Sequence, residues 1–215
     1  MELEQFTFNP RGGRYLAFLG RISPENGLDT AIRAARRASW PLRIAARKRL
    51  RNGNDPSVRV DWEHYHHEVK PLLERDHARF VGELDGRPKD RFLGQAAALL
   101  FPIRWLEPFG LVMIEALACG TPVIALHAGS VPEVIEHGVT GFVCDTEDEL
   151  VEAIGHLGEL DPARCRAEAE RRFSPSRMAE QYEDVYVRLC GRTGPSHAIR
   201  NGATRASSMR TAQAF

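Results

Sequence analysis

Two glutamates stand out by their spacing. The stretch "EPFGLVMIEALACGTPVIA" covers residues 107–125 and carries Glu107 and Glu115 with seven residues between them. From Pro108 to Pro132 Glu115 is the only Asp, Glu, Lys or Arg, although 27% of the chain is charged. An ionised carboxylate in apolar surroundings is costly unless something pairs with it. Pro108 biases Glu107 away from helical torsions and keeps it in a loop. Gly110 permits a close ligand approach. A helix is predicted from about Gly110 to Cys119, ended by Gly120. Its first amides have no intrahelical partner and suit a phosphate. Glu115, about a turn and a half inside, is placed to accept hydrogen bonds from the vicinal hydroxyls of a ribose, and Glu107 from those of a sugar. Spacing alone leaves a second reading open: Glu115 as a buried, paired helix residue, and Glu107 as a charge near a helix start.

Other chemistries find less support. "EHYHHE" at 63–68 puts His64 three residues from His67 and four from Glu68. The apolar stripe through Trp62, Tyr65 and Val69 turns these histidines outward, so a solvated face is expected rather than a metal site. The first strand leads into "GRISPENGLD", which lacks the glycine pattern of dinucleotide folds. No serine or cysteine lies in a nucleophile context. Cys119, Cys144, Cys165 and Cys190 show no metal spacing and read as reduced thiols in a cytoplasmic protein.

The elements that must carry the glutamates follow from short apolar runs at 15–20, 42–46, 78–82, 97–101, 122–126 and 141–145. Each is strand length, and most precede a segment of helical period. That alternation predicts an α/β fold, a Rossmann-like parallel sheet with helices on both faces. Leu28, Ile32 and Ala35 share one helix face. Thr146 and Glu149 form a capping box. Ser174 caps a last helix with Pro175 at its first position and a stripe of Met178, Tyr182, Val185 and Leu189. Residues 1–13 read as a lead-in, 14–190 as one domain, and 47–57 as a polar loop.

The net charge is zero, which excludes a general pull toward nucleic acid or membrane. Residues 191–215 hold four arginines and no acid, and read as a solvated, disordered tail. No run reaches the roughly 20 apolar residues that span a bilayer.

With "GSVPEVIEHGVTGFV" (129–143), "FLGRISPENGLD" (18–29), "ARFVGELD" (78–85) and "FSPSRMAEQYEDVYVRL" (173–189), the 107–125 stretch resembles the donor-sugar domain of retaining glycosyltransferases of the GT-B fold, the sucrose-synthase and mannosyltransferase-like family, with its E-x7-E motif. The likeness covers about residues 14–190. It implies that Glu107 holds the donor sugar and that Phe109, Gly110 and Leu111 form the turn whose amides meet sugar and diphosphate. It implies ribose binding by Glu115. Arg21 matches the arginine that neutralises the leaving diphosphate. The substrate implied is a nucleotide-diphosphate sugar, UDP-glucose-like, with no metal and no other cofactor.

Two departures carry expectations. The family pattern has lysine where this chain has Asn26, which weakens the charge clamp or leaves Asn26 as a helix cap. Only about a dozen residues precede the first strand, so the chain reads as a single GT-B half. The implied partners are a separately encoded amino-terminal domain or a second copy. A nucleotide-sugar-binding module without its own transfer activity is the alternative.

Overall fold

The computed structural model describes residues 3–47, 56–73 and 78–191. The remainder of the polar loop, 48–55, and the basic tail from residue 192 lie outside the described residues. Six strands form one parallel sheet: β1 (Leu16–Arg21), β2 (Leu42–Arg47), β3 (Ala78–Gly82), β4 (Ala98–Phe101), β5 (Val123–Leu126) and β6 (Gly141–Cys144). Their order is β3-β2-β1-β4-β5-β6, with every pairing parallel. All six coincide with the predicted runs to within a residue or two. The sheet reverses its winding between β1 and β4, where open α/β sheets leave a crevice at the carboxyl ends.

The helices are α1 (Leu28–Arg37), α2 (Pro56–His64), α3 (Lys70–Leu73), α4 (Gly86–Gly94), α5 (Leu111–Ala118), α6 (Val131–Val134), α7 (Glu147–Gly155), α8 (Pro162–Phe173) and α9 (Pro175–Leu189). Strand residues alternate between two cores, as a sheet buried on both faces requires. Ala17, Ala45, Leu99 and Val123 join Met113, Ile114 and Leu117 of α5 and Cys165 of α8. Leu16, Phe18, Ile44, Leu100 and Ile124 join Leu28 and Ile32 of α1 and Ile154 of α7. Leu3 and Phe6, from the opening stretch, are buried in the first of these cores.

Predicted caps appear at both expected places. Thr146 Oγ1 accepts from the Glu149 amide at 3.2 Å, and the Glu149 carboxylate returns to the Asp145 amide at 2.8 Å. Ser174 Oγ accepts from the Arg177 amide at 3.2 Å and opens α9. The chain divides into two units after Met178. In the second, the described part is the rest of α9, where Tyr182, Val185, Tyr186 and Leu189 are exposed.

One helix reading is corrected. A π-helical turn, Tyr65–Val69, interrupts the stretch that was counted at a constant helical period. Tyr65 and Val69 are buried as predicted, but so are Asp61 and His64. His64 is therefore not on a solvated face, and its Nε2 lies 3.6 Å from Asp29 Oδ1. Only apolar residues were used to find the inward stripe, so polar residues turned toward a buried charge were read as outward. Among the described residues no three His, Cys, Asp or Glu are grouped to hold a metal ion. No described helix is long and apolar enough to cross a membrane.

Candidate functional site

The loops that leave β1 and β4 meet across the crevice. Gly27, at φ +66°, lies so close to the β4 loop that a Cβ there would stand 2.2 Å from the Pro102 carbonyl oxygen. The Arg104 amide donates to the Glu25 carbonyl at 2.7 Å. The Arg104 guanidinium reaches Asp29 at 2.6 Å and bonds Thr30. Arg33 reaches Asp29 at 3.0 Å and Glu147 at 2.9 Å. Burial alone raises the Asp29 carboxyl pKa, but the Arg104 and Arg33 guanidiniums outweigh it and hold the group below its ordinary value. This network fixes the Arg21 loop against the Glu107 loop, and the sequence reading missed it.

Glu107 precedes α5 and is held by its backbone. Its amide donates to the Trp105 carbonyl and its carbonyl accepts from the Ser130 amide, both at 2.8 Å. Gly129, at φ +54°, is pressed against it: an added Cβ would lie 2.3 Å from the Glu107 carbonyl oxygen and 2.4 Å from its nitrogen. Few residues but glycine tolerate that torsion, and only glycine tolerates that contact. The Glu107 side chain turns toward the helix end, where Oε1 accepts from the Gly110 amide at 3.0 Å and the Phe109 amide at 3.4 Å. A negative charge there is favoured by the free amides and the helix dipole. Among the described residues nothing donates to its other oxygen. Gly110 is the N-cap of α5, and Leu111 is the first helical residue. Phe109 and Leu111 are exposed. Phe109 meets Phe173 edge-on at 6.4 Å, beside a cavity of about 420 Å³ that also touches Ser130 and Arg172.

Glu115 has a partner that the sequence did not reveal. Lys89 on α4 places Nζ 2.8 Å from Glu115 Oε1, and the two side chains are only 20% and 13% exposed. The apolar window thus surrounds an ion pair, as the structural alternative for Glu115 required. The pair lines a cavity of about 840 Å³ together with Phe6, Asp85 and Arg87. Glu115 Oε2 receives no hydrogen bond from the described residues, so the pairing leaves acceptor capacity open. Nothing in the window signals Lys89, because it lies 26 residues away and on another helix.

Arg21 closes β1 at the carboxyl edge. Its guanidinium lies 3.5 Å from Asp61 and 3.7 Å from Glu25, with the side chain 52% exposed. Asn26 does not cap α1; Gly27 holds that position. Asn26 Nδ2 instead donates to the Arg21 carbonyl at 2.8 Å and fixes the end of the strand. Arg21 lines a cavity of about 350 Å³ with Gly20, Ala46, Arg47 and Glu83. The structure thus gathers Arg21 and Asn26 at the end of β1, and Glu107, Phe109, Gly110 and Leu111 at the start of α5. Glu115 opens on a separate cavity beside α4.

The cysteines offer no nucleophile within the body of the fold. Cys119, Cys144 and Cys165 are free and buried, and burial pushes each thiol up to about 12.

Comparison with known proteins bears on family and fold. Residues 2–172 match the family described as "Glycosyl transferases group 1". The N-acetyl-alpha-D-glucosaminyl L-malate synthase of Bacillus anthracis is 35% identical over 126 residues, covering 55% of this chain and 32% of that protein. The D-inositol 3-phosphate glycosyltransferase of Corynebacterium diphtheriae is 29% identical over 191 residues, covering 82% of this chain and 43% of that protein. The chain therefore spans between a third and a half of the curated relatives it matches. Anabaena HepE, solved in complex with UDP and glucose, shares the fold with a TM-score of 0.67 at 20% identity, covering 88% of this chain and 55% of that one. By its sequence, the chain belongs to the group 1 glycosyl transferases.

Proposed function

We propose that this chain is the donor-binding half of a retaining glycosyltransferase, taking a hexose from a nucleotide-diphosphate sugar of the UDP-glucose kind. The observation that carries the reading is the crevice itself. A strand-end arginine closes β1 and the first amides of α5 open the helix after β4, and the loops that carry them are tied by Arg104 and Asp29. On this reading a diphosphate is held by a positive charge from one loop and by helix-end N–H donors from the other.

Each residue then has a task. The Leu111 amide, joined by those of Phe109 and Gly110 when Glu107 releases them, and the Arg21 guanidinium take the diphosphate, whose charge grows as the sugar bond breaks. Glu107 accepts from sugar hydroxyls through Oε2, or turns away from the Gly110 amide and frees that donor for the ligand. Glu115 accepts from the ribose through Oε2, while Lys89 holds its other oxygen. Cationic side chains and amides carry the charge stabilisation, so the reading requires no metal. The HepE complex supports a uridine donor by analogy of fold.

The acceptor and its positioning are assigned to the part of the longer relatives that this sequence does not span. Much of the rate of a transfer comes from holding both reactants in a closed cleft. The isolated chain is therefore expected to bind donor and to transfer little. The test is a panel of radiolabelled nucleotide sugars with mixed acceptors. It is run with the chain alone and with an added GT-B amino-terminal domain. Donor binding with turnover only in the second arm supports the reading. Robust turnover by the 215-residue chain alone overturns the half-enzyme part, and no binding of any nucleotide sugar overturns the whole.

A further inference from the structure

We infer that Arg47, at the end of β2, is a second cation of the donor site and brackets the diphosphate together with Arg21; this rests on the donor-binding reading above. Arg21 and Arg47 are register partners on neighbouring parallel strands, the last pair in that ladder. Strands so paired lie about 4.8 Å apart, and residues in register point to the same face. That face is the one carrying α5, since Ala17, Leu19 and Ala45 of the same alternation pack with Met113 and Ile114. Both arginines line the cavity of about 350 Å³ at the carboxyl edge, where Gly20, Ala45 and Ala46 leave room beside them.

Two like charges placed side by side on a sheet repel each other. Nothing in the described structure relieves this closely. Arg47 finds Glu83 at 3.6 Å, and Arg21 finds Asp61 at 3.5 Å and Glu25 at 3.7 Å. Both arginine side chains are more than half exposed, at 52% and 58%. By contrast, the arginines around Asp29 approach it to 2.6 and 3.0 Å. Asn26 adds no charge, and its amide is engaged by the Arg21 carbonyl. A diphosphate satisfies this pair well: it presents several anionic oxygens across a few ångströms, and guanidinium forks match phosphate geometry.

The test is calorimetry at low salt with UDP, UMP and inorganic pyrophosphate. The proteins are the wild-type chain and the variants Arg47→Gln, Arg47→Lys, Arg21→Gln and the surface control Arg164→Gln. Thermal melts check that each is folded. Arg47→Gln is expected to weaken UDP and pyrophosphate about tenfold, the scale of a charge-assisted hydrogen bond. UMP should lose less, Arg47→Lys should keep part of the affinity, and Arg164→Gln should match wild type. If Arg21→Gln loses UDP while Arg47→Gln binds it as wild type does, the inference falls and the donor reading stands. Loss of UMP and UDP alike with pyrophosphate unchanged would assign Arg47 to the nucleoside and also overturns it. A wild-type chain that binds none of the three overturns both.

Discussion

Two groups of arginines differ in how closely the chain itself pairs them. Around Asp29, the guanidiniums of Arg33 and Arg104 make contacts of 2.6–3.0 Å to a carboxylate that is 4% exposed. At the strand ends, Arg21 and Arg47 are half exposed, with carboxylates no nearer than 3.5 Å. In the first group both guanidiniums close on Asp29 Oδ2 and tie the β1 loop to the β4 loop, while Asp29 Oδ1 has no hydrogen-bond partner among the described residues. The second is left with donors facing a cavity. On the proposed reading, a charge that serves the fold is closed by its own chain, and one that serves a ligand is held in place but left open. Glu107 and Glu115 each commit one oxygen internally and keep the other, and unlike Asp29 neither is fully buried.

The sharpest way to break the comparison is to remove the centre of the closed group. Asp29→Ala removes the carboxylate that Arg33 and Arg104 share, though Arg33 keeps Glu147 and Arg104 keeps Thr30, and should cost about 3 kcal/mol of stability, the low end for breaking a buried pair. Arg21→Gln should change stability by no more than about 0.5 kcal/mol, as an exposed substitution does. Urea unfolding of both variants measures the contrast, and similar losses would erase it. The same group predicts an acid response. The Asp29 pKa is held below its unfolded value of about 3.9, so its stabilisation is complete above that pH and is lost as pH falls through the folded value. Arg104→Gln removes part of that depression and should move acid unfolding to higher pH, which circular dichroism against pH would follow.

Next in size is Gly129→Ala. Backbone strain of about 1–3 kcal/mol comes with displacement of Glu107, whose backbone the new Cβ would strike. Stability and nucleotide affinity should fall together, and calorimetry on a variant whose melt has been measured separates the two. Glu115→Gln is smaller. It keeps an acceptor for Lys89 but weakens the ribose contact, so UDP affinity should drop by about 1 kcal/mol with the melt little changed. A 2′-deoxy nucleotide should feel the substitution less. The smallest effect belongs to Asn26→Lys. It trades the bond to the Arg21 carbonyl for a cation beside the cavity, and should gain about half a kcal/mol in UDP binding at low salt. Added salt should remove the gain.

Local signals carried most of the fold. The six strands were legible because each is a short apolar run closed by polar or turn residues, and the caps at Thr146 and Ser174 because capping is a matter of neighbours in sequence. The placement of Glu107 before α5 followed from Pro108 and Gly110 for the same reason. What was not legible depends on residues distant in sequence. Lys89 meets Glu115 across two helices, Arg104 meets Asp29 across two strands, and His64 turns inward because a buried carboxylate waits there. Arg47 was the exception that offered a clue. "LAFLGR" and "LRIAAR" both end on arginine, and parallel pairing sets those ends side by side.

The central claim is that the carboxyl-edge crevice of this chain receives a nucleoside diphosphate. Amide NMR of the labelled chain titrated with UDP tests it most directly, since each shift reports on a place. The account predicts saturable shifts that are largest at Phe109–Val112, at Arg21 and Arg47, and around Glu115. Shifts confined to α7 and α8, or none at all at millimolar UDP, would contradict it.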